Sequence, residues 1–128
     1  MNLELKSKTA LVCGGTDGIG KATAFELATL GANIVLMARS EEKLKNVLND
    51  LPLQHWQKHD YIIADFSNPE QVKEKTEQYI IDNGNIEILI NNTGGPPAGA
   101  LLNSDVDSFY RGFDMHLKCS HYLVQTLI

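Results

Sequence analysis

Val12-Cys13-Gly14-Gly15-Thr16-Asp17-Gly18-Ile19-Gly20 is the stretch whose reading decides the fold. A short apolar run, Thr9 to Cys13, leads into it. A helix-like run, Gly20 to Leu30, leaves it and closes on Gly31. Strand, glycine-rich turn and helix, in that order, make an anion site. The helix N-terminus directs unpaired N–H groups and about half a positive charge at whatever occupies the turn. Glycine turns the chain tightly and lets backbone approach a ligand with no Cβ between them. Gly14, Gly18 and Gly20 are spaced G-x-x-x-G-x-G rather than G-x-G-x-x-G. The plain alternative is a glycine-rich turn that holds nothing.

The same residues contain a near miss to a different phosphate loop. Gly15 to Ala22 reads G-x-x-x-x-G-K-A. A P-loop needs Ser or Thr directly after Lys21, because that hydroxyl binds magnesium. Ala22 has none, and Thr23 is one place late, rotated by about 100° around a helix. Tyr61-Ile62-Ile63-Ala64-Asp65 imitates the apolar strand and metal-holding Asp of such enzymes. A degenerate P-loop NTPase is therefore a rival reading, and Ala22 and Arg39 count against it.

Outward from the turn, apolar runs and helical patterns alternate. Asn33 to Ala38 is a second strand, apolar enough to be buried on both faces. Ser40 caps a charged helix over 41–51, with Leu44, Val47, Leu48 and Leu51 in one stripe. A third strand spans 60–64. Ser67-Asn68-Pro69-Glu70 reads as a capping box opening a helix to about Asp82, and Gly84 stops it. A fourth strand spans 86–90. The loop from Asn91 to Gly99 is stiffened by Pro96-Pro97, and a second box, Ser104-Asp105-Val106-Asp107, opens a helix that carries to Ile128. This α/β alternation predicts a Rossmann-type doubly wound parallel sheet, strand order 3-2-1-4. A ligand belongs over the C-terminal strand ends, between strands one and four.

Candidate site residues gather there. The turn supplies Gly14, Thr16, Asp17, Gly18, Ile19 and Gly20. Ala38 and then Arg39 follow strand two, where a carboxylate would favour NAD by accepting from a free ribose 2′-hydroxyl. A small residue and a fixed cation suit a 2′-phosphate instead, which favours NADP(H) over NAD(H). Ser40 can cap its helix and donate to the same phosphate. Asp65 ends strand three, placed to accept from an adenine amino group with Phe66 beside it; a solvated turn Asp is the alternative. Of Asn91 and Asn92, one ties neighbouring strands and the other, taken as Asn92, faces the cofactor together with Thr93 and Gly94.

Gly14-x-x-x-Gly18-Ile19-Gly20, Arg39, Asp65 and Asn91-Asn92-Thr93-Gly94 resemble, in order and spacing, the short-chain dehydrogenase/reductase family across nearly the whole chain. The resemblance implies hydride transfer between NAD(P)(H) and a small carbonyl or alcohol substrate. It also implies dimers or tetramers built through the last helix. Cys13 stands where the family usually has Thr, and Thr93 where it usually has Ala. His116 falls at the position of an Asn that helps hold a water and a proton relay, which makes it a candidate catalytic residue. The family's catalytic Ser and Tyr-x-x-x-Lys are expected after Ile128. Tyr61, Tyr79, Tyr110 and Tyr122 are followed four residues on by Asp65, Asn83, Asp114 and Thr126. The expectation is a single partial cofactor-binding domain, residues 1–128, cut before its fifth strand and inactive alone. A non-catalytic NADP(H)-binding module is the alternative.

Composition sets outer bounds. The 128 residues carry a net charge of −5, which disfavours attraction to nucleic acid. No apolar run approaches the roughly 20 residues of a membrane span. Met1 to Lys6 does not read as a signal peptide. Cys13 and Cys119 read as reduced thiols, pointing to a cytoplasmic setting. His116, Cys119 and His121 lack the further ligands a metal site needs. Phe109, Phe113 and Leu117, spaced by four, read as core or subunit contact.

Overall fold

The computed structural model describes residues 3–95 and 98–128; the Pro96-Pro97 pair, read above as a stiff wall, lies outside the described residues. Four strands, β1 (Thr9–Cys13), β2 (Asn33–Ala38), β3 (Asp60–Ile63) and β4 (Ile88–Ile90), form one parallel sheet in the order β3-β2-β1-β4. The register puts Leu11 beside Val35 on one side and Leu89 on the other. The expected order is thus observed, with its reversal between β1 and β4.

Alternate residues of each strand feed opposite layers. Ala10, Val12, Ile34 and Leu36 pack with Ala24 and Ala28 of α1 (Gly18–Thr29) and Leu44 and Val47 of α2 (Glu41–Asp50). Leu11, Cys13, Val35 and Met37 pack on the other face with Val72 of α3 (Pro69–Asn83). There they also meet Cys119 and Leu123 of α5 (Cys119–Leu127). A sheet covered on both faces explains why its strands read as continuous apolar runs.

The chain enters α5 from α4 (Val106–Phe113) through a π-helical stretch, Asp114–Lys118, with right-handed helical dihedrals at every junction. One short 3₁₀ turn, Leu101–Asn103, precedes α4. Among the described residues, no helix is long and apolar enough to cross a membrane.

Several predicted boundaries move. Helix α1 starts at Gly18, two residues earlier than read. Two caps shift by one. Asn68, not Ser67, caps α3 by accepting from the Gln71 N–H at 3.2 Å, because the Ser67 hydroxyl donates to Asp65 instead. Asp105, not Ser104, caps α4, accepting from the Ser108 N–H at 2.6 Å while Ser104 donates to the Ala100 carbonyl. Phe109, Phe113 and Leu117 are 66%, 50% and 59% exposed, so the core alternative for them is excluded.

Two polar side chains outside the regular elements fix the sheet's bottom. Gln57, buried, donates to the Ala28 and Ala32 carbonyls at 2.8 and 2.7 Å and accepts from the Gln54 N–H. His59 links the Ile34 N–H and the Pro52 carbonyl through its two ring nitrogens. Both satisfy backbone groups that helix and strand ends leave open.

Candidate functional site

A cleft of about 1060 Å³ lies over the C-terminal ends of the strands. Its floor is the glycine turn. Gly14 adopts φ +59° and Gly18 φ +53°, both in the left-handed region that glycine enters freely. The three glycines serve different ends. A Cβ on Gly18 would meet nothing within 4 Å, so the space above it is open to a ligand. A Cβ on Gly20 would run into the Gly14 carbonyl oxygen and the Asn92 side chain. Gly20 is buried beneath the turn and does not line the cleft. Its lack of a Cβ lets α1 pack against the turn. Gly15, absent from the motif as read, is constrained too, since its Cβ would lie 2.6 Å from Leu36 Cδ2.

The turn is held from two sides. The Gly14 N–H donates to the Met37 carbonyl at 2.9 Å. The Asn92 amide donates to the Cys13 and Gly14 carbonyls at 3.3 and 3.4 Å. Asn92 therefore ties β4 to the turn; its amide is turned to the protein although the residue borders the cleft. Asn91 is exposed and does not line it.

Helix α1 opens into the cleft. Asp17 is its N-cap with extended backbone, yet its carboxylate makes no capping bond, and no acidic residue occupies the first turn. The N–H groups there are thus presented to the cleft, the arrangement that fits a phosphate. Thr16, Asp17, Gly18 and Ile19 line this end, and Ile19 is 78% exposed. The Thr23 hydroxyl donates back to the Ile19 carbonyl at 2.8 Å, so it offers a metal-bound triphosphate nothing.

At the second end stand Ala38, Arg39, Ser40 and Lys43. Arg39 is exposed and makes no ion pair among the described residues. Ser40 Oγ accepts from the Lys43 N–H at 3.4 Å as the cap of α2. Lys43 is a cleft residue that the sequence reading missed; its place three residues after a cap, on the first turn of a helix leaving the site, was the available signal.

Asp65 and Phe66 form the third wall. Asp65 accepts from the N–H and hydroxyl of Ser67, at 2.9 and 2.8 Å. The Ser67 N–H chiefly, with the Arg39 charge adding less, holds the Asp65 carboxyl below its ordinary value. It is an ordered turn carboxylate, and its N–H is taken by Gln71 at 2.9 Å. Phe66 borders the cleft while its side chain packs in the core.

Thr93, Gly94 and Met115 close the fourth side. His116 does not line the cleft directly. Its Nδ1 lies 2.8 Å from Thr93 Oγ1, so Thr93 stands between the imidazole and the cleft wall. Cys119 donates to the Phe66 carbonyl at 3.2 Å and takes no part in a cluster with His116. Among the described residues, no three His, Cys, Asp or Glu side chains are grouped so as to hold a metal. Both cysteines are free and buried, and burial pushes the Cys13 thiol up to about 12.

The arrangement offers a turn for phosphate, a cation without an ion pair among the described residues, and an ordered carboxylate, all bordering one cleft. The family model for short chain dehydrogenases matches residues 8–128. An uncharacterized oxidoreductase of Bacillus subtilis is 35% identical over 118 residues, 91% of this chain and 43% of that one. The human inactive hydroxysteroid dehydrogenase-like protein 1 is 44% identical over 85 residues, 66% of this chain and 26% of that one. A crystal structure of L-sorbose reductase from Gluconobacter frateurii, complexed with NADPH and L-sorbose, superposes with a TM-score of 0.89 at 25% identity. It covers 99% of this chain and 48% of that one. The chain thus spans less than half the length of each of these relatives. A cleft over the reversal of a 3-2-1-4 sheet, and a family match over residues 8–128, lead to one conclusion: the chain belongs to the short chain dehydrogenase family.

Proposed function

We propose that this chain holds NADP(H) for an oxidoreductase acting on a small carbonyl or alcohol. The observation that carries the cofactor choice is Arg39. It is an exposed guanidinium with no ion pair among the described residues, directly after β2, and Ala38 rather than a carboxylate precedes it. A fixed, planar cation there suits a 2′-phosphate and gives a free ribose hydroxyl no acceptor. The NADPH in the L-sorbose reductase complex supports the same choice.

The bound nicotinamide supplies the hydride. The chain's own residues bind and orient. First-turn N–H groups of α1 hold the diphosphate, Arg39 and Ser40 hold the 2′-phosphate, and Asp65 accepts from the adenine amino group. Asn92 keeps the turn and β4 fixed, and Thr93 with Gly94 borders the end where a substrate would meet the ring. The exposed Phe109, Phe113 and Leu117 make α4 and the stretch after it our candidate contact with a second copy. Two buried free thiols accord with a reducing, cytoplasmic setting.

Titration with NADPH and with NADH tests this. NADPH is expected to bind roughly tenfold or more tightly, the size of a charge-assisted hydrogen bond. Arg39→Ala is expected to remove most of the difference. Equal affinities overturn the assignment.

A second reading is a non-catalytic NADP(H)-binding module. The human relative's designation as inactive supports it. NADPH oxidation by the whole protein with a panel of ketones separates the two. Turnover favours the enzyme, and binding without turnover on any ketone favours the module.

A further inference from the structure

An acid sits where the anion should go. Asp17 lies in the phosphate turn, lines the cleft and has its side chain 79% exposed. A carboxylate beside a diphosphate opposes binding. Its partner is Lys43, which lines the same cleft: Nζ lies 3.2 Å from Asp17 Oδ2. The pair spans from the glycine turn to the first turn of α2, next to Arg39 and Ser40.

Resting on the NADP(H) reading, we infer that Lys43 is a second specificity residue for the 2′-phosphate, held in reserve by Asp17. In the free chain Lys43 neutralises the acid in the turn. When a 2′-phosphate enters beside Arg39, Lys43 leaves Asp17 for it. The exchange is favourable because the two bonds differ in strength. An ion pair with both partners in solvent contributes little. A lysine on a phosphate dianion, next to a second cation, makes a charge-assisted bond to a group of higher charge. The long lysine stem lets the ammonium move without moving the backbone. Arg39 alone reads the phosphate as present; Asp17 and Lys43 set how much better it binds than a dinucleotide without one.

Substitution at the two ends separates this from a merely structural ion pair. A structural pair loses the same bond whichever end is removed, so both variants would act alike. A reserve cation makes them act oppositely. The readout is the ratio of the NADH and NADPH dissociation constants. Lys43→Gln is expected to lower the ratio roughly fivefold, and Lys43→Arg to restore most of it. Asp17→Asn is expected to raise the ratio roughly threefold, since Lys43 then leaves nothing behind. Both side chains are largely solvent-exposed, so circular dichroism spectra should match that of the parent chain. A parent that prefers NADPH, with a ratio unmoved by Lys43→Gln or lowered by Asp17→Asn, overturns the inference alone. A parent with no preference overturns the NADP(H) reading, and this inference with it.

Discussion

Thr93 Oγ1 and His116 Nδ1 are 2.8 Å apart, joining the chain just past β4 to the π-helical stretch. Both residues stand where the family resemblance leads one to expect something else, an Ala and an Asn. The two departures are one contact. An Ala at position 93 would leave the imidazole without this partner, and an Asn at position 116 has a shorter reach. The hydroxyl and ring therefore act as a unit that fixes how the loop after β4 sits against the helix.

Removing the hydroxyl should cost stability. Thr93→Ala leaves a half-buried ring nitrogen unpaired and is expected to destabilise by about 1 kcal/mol. Thr93→Ser keeps the bond and is expected to stay within about 0.5 kcal/mol. Urea denaturation of the three chains measures this. Equal midpoints for Thr93→Ala and the parent would show the contact to be idle.

Glycine replacements should sort by position rather than by motif. Gly20→Ala drives a methyl into the Gly14 carbonyl and Asn92. We expect a loss of about 2 kcal/mol or more from overpacking, and loss of dinucleotide binding as the turn shifts. Gly18→Ala meets open space but keeps an unfavourable φ of +53°. The expected cost is about 1 kcal/mol, with binding weakened by the methyl in the cleft. Thermal unfolding and NADPH titration of both variants decide it, and the reverse ranking in stability would sink the assignment of Gly20 to packing.

The alkaline limb of stability belongs to the two thiols and the Tyr79 phenol. Burial raises Cys13 from 9.0 to about 12 and Cys119 from 9.0 to about 11. Burial likewise raises Tyr79 from 10.0 to about 12. In each case the folded chain keeps a proton that the unfolded chain releases first. The stabilisation is complete below the unfolded value near 9 and is lost as pH rises through 11 and 12. Urea midpoints should thus hold steady to about pH 8 as far as these groups are concerned, then fall. Replacing both cysteines by Ala should flatten the fall relative to the neutral-pH value. An unchanged slope would assign it elsewhere.

Gln57 carries more than its loop position suggests. Its amide donates to the Ala28 carbonyl in the last turn of α1 and to the Ala32 carbonyl just before β2. Gln57→Leu removes the side-chain donor to the Ala32 carbonyl and the acceptor of the Gln54 N–H, while the Ala28 carbonyl keeps the Gly31 N–H, and is expected to cost about 2 kcal/mol. Amide exchange at Gln54 should speed up in parallel. A stability within error of the parent would mean that water replaces the side chain.

How much of this was legible follows from what each signal depends on. The doubly covered parallel sheet was readable because Leu11, Val12, Val35 and Leu36 are apolar on both faces, and the order followed from that architecture. The cleft was readable because strand-end positions converge by topology alone, and the turn, Arg39, Asp65 and Asn92 all border it. Distinctions between neighbours were not. Whether Ser67 or Asn68 caps α3 depends on Asp65 competing for the serine, a contact set by the turn's geometry. Lys43 escaped notice because its partner Asp17 lies 26 residues away. Gln57 and His59 bond to backbone from other elements, and backbone acceptors leave no mark in a sequence.

The π-helical stretch acts on direction rather than length. Its wider turn takes in an extra residue, which in an α-helix would rotate all that follows by about 100°. Asp114–Lys118 therefore sets the phase between two helical faces. Upstream, Phe109 and Phe113 look outward; downstream, Cys119 and Leu123 reach the sheet. Deleting one residue there would leave both segments helical but turn them out of phase, so that the outward apolar face and the buried one no longer hold their places together.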